Sequence, residues 1–173
     1  MRSPDILRFE PGAARMAHPR LPALVHRGVL AGAGREGTAS AFERLFAANG
    51  WPPRWRDGIF DYHHYHSTAH EALGVAGGGA RVQLGGPDGE VVEVAAGDVL
   101  VLPAGTGHRR VRASRDFLVV GAYPCGQDYD LCTQPPTPAV LARIEAVPLP
   151  AADPAHGPAG PLLAAWGAGG AAR

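Results

Sequence analysis

An all-β domain, a sandwich or small barrel, is the fold class this sequence predicts, and three observations lead there. The 24 glycines and 17 prolines exceed average usage, yet they stand as punctuation between short apolar runs rather than in one low-complexity tract. Gly85-Gly86-Pro87-Asp88-Gly89 is a strong turn signal between two such runs and closes a hairpin. Val99-Leu100-Val101-Leu102 and Phe117-Leu118-Val119-Val120-Gly121-Ala122 are apolar at successive positions, so both of their faces need cover, from helices or from a partner subunit.

Taken along the chain, the predicted strands are Ile6 to Phe9, Ala23 to Leu30, Gly58 to His66, Glu71 to Val75, Ala80 to Leu84, Glu90 to Val94, Val99 to Leu102, His108 to Val111 and Phe117 to Tyr123. A helix over residues 38–49 precedes the barrel strands: Ser40-Ala41-Phe42-Glu43 has the form of a capping box, Phe42, Leu45 and Phe46 share a face, and Asn49-Gly50 is a stop. A second helix begins at Thr137-Pro138, a cap followed by proline at the first helical position, and runs through Leu141 and Ile144 to Glu145. From Pro148 onward the Pro-Gly-Ala composition predicts an extended tail, which clings to the body if Leu162, Leu163 and Trp166 find a groove. The organisation expected is one domain: an N-terminal strand or arm over 1–21, the barrel over 22–123, and a C-terminal helix and tail over 124–173.

Composition excludes several classes of function. Lys+Arg and Asp+Glu both number 16, so no net field draws the chain to nucleic acid, and no basic run does so locally. No stretch approaches the roughly 20 apolar residues of a membrane span, and the residues after Met1 form no signal-peptide core. The expectation is a soluble, cytoplasmic protein with no membrane or nucleic-acid partner. Cys125 and Cys132 are too few for a disulfide framework and form no CxxC motif.

The chemistry concentrates between Gly58 and Ala72, where His63, His64, His66, His70 and Glu71 lie, with His108 downstream. In a strand, residues two apart project from one face, so the imidazoles of His64 and His66 can reach one ion, with Glu71 as companion. His63 then points outward. His70 either donates to a ligand carboxylate or replaces Glu71 if the turn after His66 is shaped differently. Alternation puts Tyr62 on the face of His64 and His66, Arg110 and Arg112 on that of His108, and Tyr123 in phase with Val119 and Gly121. These four are the candidate substrate-binding residues. An inward arginine suits a carboxylate or phosphate, whereas an arginine beyond the rim is simply solvated.

These residues resemble the cupin superfamily. Its first motif, Gly-x5-His-x-His-x3,4-Glu-x6-Gly, is matched by Gly58, His64, His66, Glu71 and Gly78. Its second, Gly-x5-Pro-x-Gly-x2-His-x3-Asn, is matched by Gly97, Pro103, Gly105 and His108, with Arg112 in place of the final Asn. The wider runs His64 to Glu71, Leu102 to His108 and Val119 to Pro124 are similar to the bacterial YjlB-type cupins. The resemblance implies a jelly-roll β-barrel with the helices packed outside, a tendency to homodimerise, and a metal held by His64, His66, Glu71 and His108. Such an N3O set suits Fe, Mn, Ni, Co or Zn as the divalent ion and leaves coordination positions open. Cupins include dioxygenases, decarboxylases, isomerases and non-catalytic binders, so function has to be argued from the site. The leading expectation is a small metal-dependent enzyme, of dioxygenase or oxidoreductase type, acting on a polar small molecule. The alternatives are an isomerase or decarboxylase, and a module that binds or senses a small ligand or metal without turnover.

Overall fold

The computed structural model describes residues 2–9, 16–30 and 32–167; positions 1, 10–15, 31 and 168–173, which include parts of the expected arm and tail, lie outside the described residues. In chain order the elements are β1 (Asp5–Leu7), β2 (Ala23–His26), α1 (Gly34–Ala48), β3 (Pro53–Asp57), β4 (Glu71–Gly77) and β5 (Gly79–Leu84). There follow β6 (Glu90–Ala95), β7 (Val99–Leu102), β8 (His108–Ala113), β9 (Leu118–Ala122), α2 (Pro138–Glu145) and α3 (Pro161–Gly167). The strands make two antiparallel sheets, one ordered β1-β2-β7-β4-β9-β3 and one ordered β6-β5-β8. The predicted all-β fold is present, and the Gly85–Gly89 turn links β5 to β6 as a hairpin.

The two sheets enclose a common core. Leu73, Val75, Leu100, Leu102 and Val119 of the larger sheet meet Val82, Leu84 and Val94 of the smaller. On the outer face of the larger sheet, Ala72, Val99, Val101, Val120 and Ala122 lie under Phe42 and Phe46 of α1 and Leu162 and Trp166 of α3. The approach is close: a Cβ at Gly74 would stand 2.7 Å from the Phe42 ring, so α1 seats on β4 only because that position is glycine. The chain's own helices thus cover the doubly apolar strands, and that surface requires no second subunit.

Several local expectations are corrected. The run from Gly58 to His66 is not a strand. The preceding β3 is, beginning at Pro53 on the edge of the larger sheet, where a proline costs no ladder bond. Residues 60–65 instead lie alongside β8, joined by Arg110 N–H to Phe60 O at 2.8 Å and by reciprocal His64–His108 backbone bonds. Helix α1 starts at Gly34 and not at a Ser40 cap; Ser40 and Glu43 face outward and receive the Arg56 guanidinium at 3.1 and 2.6 Å. The Thr137 cap is as read, its hydroxyl accepting from Val140 N–H at 3.3 Å. The C-terminal tail is helical over α3, where Trp166 is buried and donates its indole N–H to Pro22 O at 2.9 Å. Among the described residues no helix is long and apolar enough to cross a membrane.

Three histidines outside the motifs serve the fold. His18 Nδ1 accepts from the backbone N–H of Arg20 and Leu21 at 3.1 and 3.0 Å. His26 is buried 3.4 Å from Asp153, whose carboxylate accepts the N–H groups of Ala155, His156 and Leu162 and so ties the C-terminal loop together. The His156 ring stands edge-on to His26 with centroids 5.0 Å apart.

Candidate metal centre

The centre forms where the two sheets part at one end. Glu71 opens β4 on the inward face it shares with Leu73 and Val75, and pairs with Leu102 across the ladder. His108 opens β8 opposite Leu84. The 64–66 segment closes the gap between the sheets through its bridge to His108, bringing a third and fourth polar side chain into the same space.

His64, His66 and His108 are all buried, and one ring nitrogen from each lies within 4.8 Å of the others. Glu71 joins them, with Oε1 3.3 Å from His66 Nε2 and Oε2 3.2 Å from His108 Nε2. Each histidine is fixed from behind by a main-chain carbonyl. His64 Nδ1 meets Tyr62 O at 3.1 Å, His108 Nδ1 meets Thr106 O at 3.0 Å, and His66 Nδ1 makes a short contact with Asp130 O. A carbonyl only accepts, so each Nδ1 carries a hydrogen and each Nε2 is the atom turned toward the centre.

Acceptors therefore dominate the centre. Among the described residues the one neutral donor placed on it is the Tyr123 hydroxyl, 2.7 Å from Glu71 Oε1, itself held by the Trp55 indole N–H at 2.9 Å. Glu71 Oε2 is buried with no hydrogen-bond partner. A buried carboxylate among imidazole lone pairs needs positive charge at its centre, either a proton or a metal ion. The titration directions agree. Burial and the neighbouring His108 push the His64 pKa down to about 3, keeping that ring neutral. Burial also opposes charge on His66, but Glu71 beside it prevails and raises its pKa. Glu71 lies well below the usual carboxylate range despite its burial, because His66 and His108 face it. Three imidazole nitrogens and one carboxylate fit a borderline divalent ion, and so many nitrogens disfavour calcium.

A cavity of about 300 Å³ opens from this floor, walled by Trp55, Ile59, Phe60, Leu73, Tyr123, Tyr129 and Leu131, with residues 56–58 at its side. Tyr123 lies within it as alternation predicts, its ring stacked on Tyr129 with centroids 4.4 Å apart. Space for the Trp55 indole comes from Gly121, where a Cβ would stand 2.1 Å from Trp55 Cε2.

The other predicted contacts fall elsewhere. Tyr62 stacks on Phe60 and is half-exposed beyond the lining. A register shift between Arg81 and Val82 leaves Val111 unpaired on β8, so Arg112 pairs with exposed Arg81 and turns outward. Arg110 stays opposite buried Val82 but is absent from the cavity wall. His70 is fully buried on the far side, accepting from Ala104 N–H at 2.9 Å and packing on Trp166. Glu71, and not His70, meets the triad. His63 is half-buried rather than free on the surface, with its Nδ1 buried and unpartnered.

Sequence reasoning missed the 128–132 loop. Asp130 accepts from Ser67 N–H at 2.6 Å and from the Ser67 hydroxyl, and Thr68 donates to Asp128 O at 2.7 Å. This clasp brings Asp130 O to His66 and hangs Tyr129 and Leu131 over the cavity. Its only sequence signal is an acid between two large apolar residues, which is weak.

No family model matches the chain. Among solved structures it resembles a DUF861 family protein from Thermotoga maritima, at 16% identity and TM-score 0.36, over 57% of this chain and 96% of that one. It also resembles an acireductone dioxygenase from Bacillus anthracis with cadmium ion in its active center, at 17% identity and TM-score 0.39, over 68% and 78%. The uncharacterized protein YjlB of Bacillus subtilis (strain 168) is 38% identical over 151 residues, which is 86% of this chain and 88% of that protein. With that identity running through nearly the whole of both chains, and with both cupin motifs meeting at one buried cluster between two antiparallel sheets, the chain belongs to the YjlB family of cupins.

Proposed function

We propose that this protein is a small metal-dependent enzyme of the dioxygenase or oxidoreductase type, with His64, His66, His108 and Glu71 holding a divalent ion at the floor of the cavity. The observation that carries the reading is the shared orientation of the three imidazoles, each anchored through Nδ1 to a main-chain carbonyl and presenting Nε2 to one point beside a buried carboxylate. A bound Fe, Mn, Ni, Co or Zn ion supplies Lewis acidity there, and a redox-active one supplies a place for dioxygen. The chain's residues do the rest. Tyr123 orients the carboxylate through its hydroxyl, and Trp55, Tyr129 and Leu131 keep water from the walls. The protein acts in the cytoplasm on a small organic molecule and homodimerises through a surface other than the helix-covered sheet face.

Elemental analysis of protein purified without added metal, beside a His64→Ala/His108→Ala variant, tests this reading. Near-stoichiometric metal that is lost in the variant supports it, and dioxygen uptake with candidate substrates follows. A wild-type protein that takes up no metal even after reconstitution refutes it and leaves the non-catalytic binding module.

A further inference from the structure

The cavity's polar groups are densest at its floor. Above the histidines, most side-chain hydrogen-bonding groups of the wall are already committed; the Tyr129 hydroxyl, at the exposed mouth, is the exception. The Trp55 N–H goes to the Tyr123 hydroxyl, and that hydroxyl goes to Glu71. Arg56 borders the cavity, but its guanidinium is drawn onto α1, where Glu36, Ser40 and Glu43 take Nη1, Nη2 and Nε at 2.6 to 3.1 Å. Asp57 Oδ1 accepts from Gly58 N–H at 2.7 Å. Arg110 and Arg112, the groups that would have clasped a phosphate or second carboxylate, are not in the wall. A polyhydroxylated or polyanionic occupant would therefore exchange water for surfaces that replace few of its hydrogen bonds, a loss of free energy for each group left unpaired.

The wall that remains is flat and apolar. The Tyr123 and Tyr129 rings are stacked nearly parallel, at 18°, and the Trp55 indole adds a further planar surface. At the mouth, Phe60, Tyr129 and Leu131 are 49, 42 and 52% exposed, apolar area that an occupant would cover. The cavity's roughly 300 Å³ equals about ten water volumes at about 30 Å³ each, enough for a single ring and a short substituent.

Resting on the metal-centre reading, we propose that the substrate class of this site is a small ring-bearing molecule of about ten non-hydrogen atoms with one oxygen-containing head. The head meets the His64, His66 and His108 floor, and the ring lies against Tyr129 and Trp55. This narrows the sequence-based expectation of a polar small molecule to one polar at one end only.

The test is isothermal titration of the full-length, Zn(II)-loaded protein with three carboxylates: phenylacetate, acetate as head alone, and N-acetylglycinate as a polar body on the same head. Burial of a phenyl ring predicts phenylacetate binding about 30-fold tighter than acetate, with N-acetylglycinate close to acetate. In Tyr129→Ala most of that gain should disappear while equilibrium dialysis shows unchanged Zn(II) uptake. Leu131→Asp, at the exposed mouth, provides the same check if the tyrosine variant fails to fold. Phenylacetate no tighter than acetate, or N-acetylglycinate equal to phenylacetate, on protein that does bind Zn(II) overturns this inference and leaves the metal centre standing. Failure of Zn(II) uptake with a persisting phenylacetate preference does the reverse: the metal reading falls and the ring cavity stands.

Discussion

Replacing Tyr123 by Phe isolates one atom of the site. The ring stays in place, stacked on Tyr129, and only the hydroxyl between Trp55 N–H and Glu71 Oε1 is lost. That hydroxyl donates at 2.7 Å to a carboxylate that is 2% exposed, the geometry of a charge-assisted hydrogen bond. Such bonds contribute about 1.5–3 kcal/mol, and Trp55, only partly buried, can turn its freed N–H to water. The expected loss of stability, about 2 kcal/mol, lowers Tm by about 4–8 °C in a domain of this size. A larger effect is expected on the metal. A carboxylate that loses its orienting partner typically costs its site about 10- to 100-fold in affinity. Chelator competition with Zn(II), read beside thermal melts of the metal-free protein, measures both quantities. Affinity within twofold of the parent together with an unchanged Tm would refute the claim that Tyr123 holds Glu71 in position.

Acid should weaken the fold in a defined window. His18 is neutral when folded, its pKa pushed down to about 4 by burial and by Arg20, while the unfolded chain takes up that proton near 6.5. The unfolded state therefore binds more protons in between, so stability is full above pH 6.5 and falls toward pH 4, by up to about 3 kcal/mol for this residue. Urea midpoints at pH 7.5 and pH 5 should show the decline, and a flat profile counts against it. Metal affinity has its own pH dependence: the raised pKa of His66 means that an entering ion displaces a proton, so affinity should drop as pH falls below that pKa, by up to about tenfold per unit. A pH-independent Zn(II) dissociation constant between pH 8 and 6 would exclude that displacement. Gly121→Ala places a methyl 2.1 Å from the Trp55 ring, and overpacking of this kind costs about 1–3 kcal/mol; tryptophan emission should shift as the indole leaves the cavity wall, and an unaltered spectrum would show that the ring is not held there. Asp130→Asn should release the Ser67 clasp and lower metal affinity through His66, detectable in the same chelator competition; parental affinity would mean that the loop does not position His66.

What could be read from the sequence follows from where its information resides. Ligand chemistry demands particular side chains, so His64, His66, Glu71 and His108 stand out at their spacings, and the structure brings all four together. The atoms that orient them are main-chain carbonyls of Tyr62, Thr106 and Asp130, which any residue could supply, and they leave no mark in the sequence. Alternation placed Tyr123 on the cavity side because β9 runs regularly there. It failed at Arg112 because one unpaired residue on β8 inverts the phase of everything beyond it. The Ser40–Glu43 pattern looked like a helix start, but it is the partner of Arg56 on β3, a contact between elements that no local pattern encodes.

The same division explains how the site sits in a stable protein. Its acceptors cluster around a buried carboxylate, an arrangement that calls for a cation or a proton at its centre, and the raised His66 pKa shows the direction in which Glu71 draws one. That requirement falls at the end of the sandwich and not within its packing. The core of Leu73, Val75, Val82, Leu84, Leu100 and Val119 and the helix-covered face around Phe42 and Trp166 are built from other residues. Removing the ion should therefore loosen the segments that reach the centre from outside the ladders, residues 60–66 and the 128–132 loop, before it affects either sheet. These are the segments that carry Phe60, Tyr129 and Leu131 to the mouth of the cavity, so the charge at the centre and the shape of the wall above it are mechanically joined through His66 and Asp130.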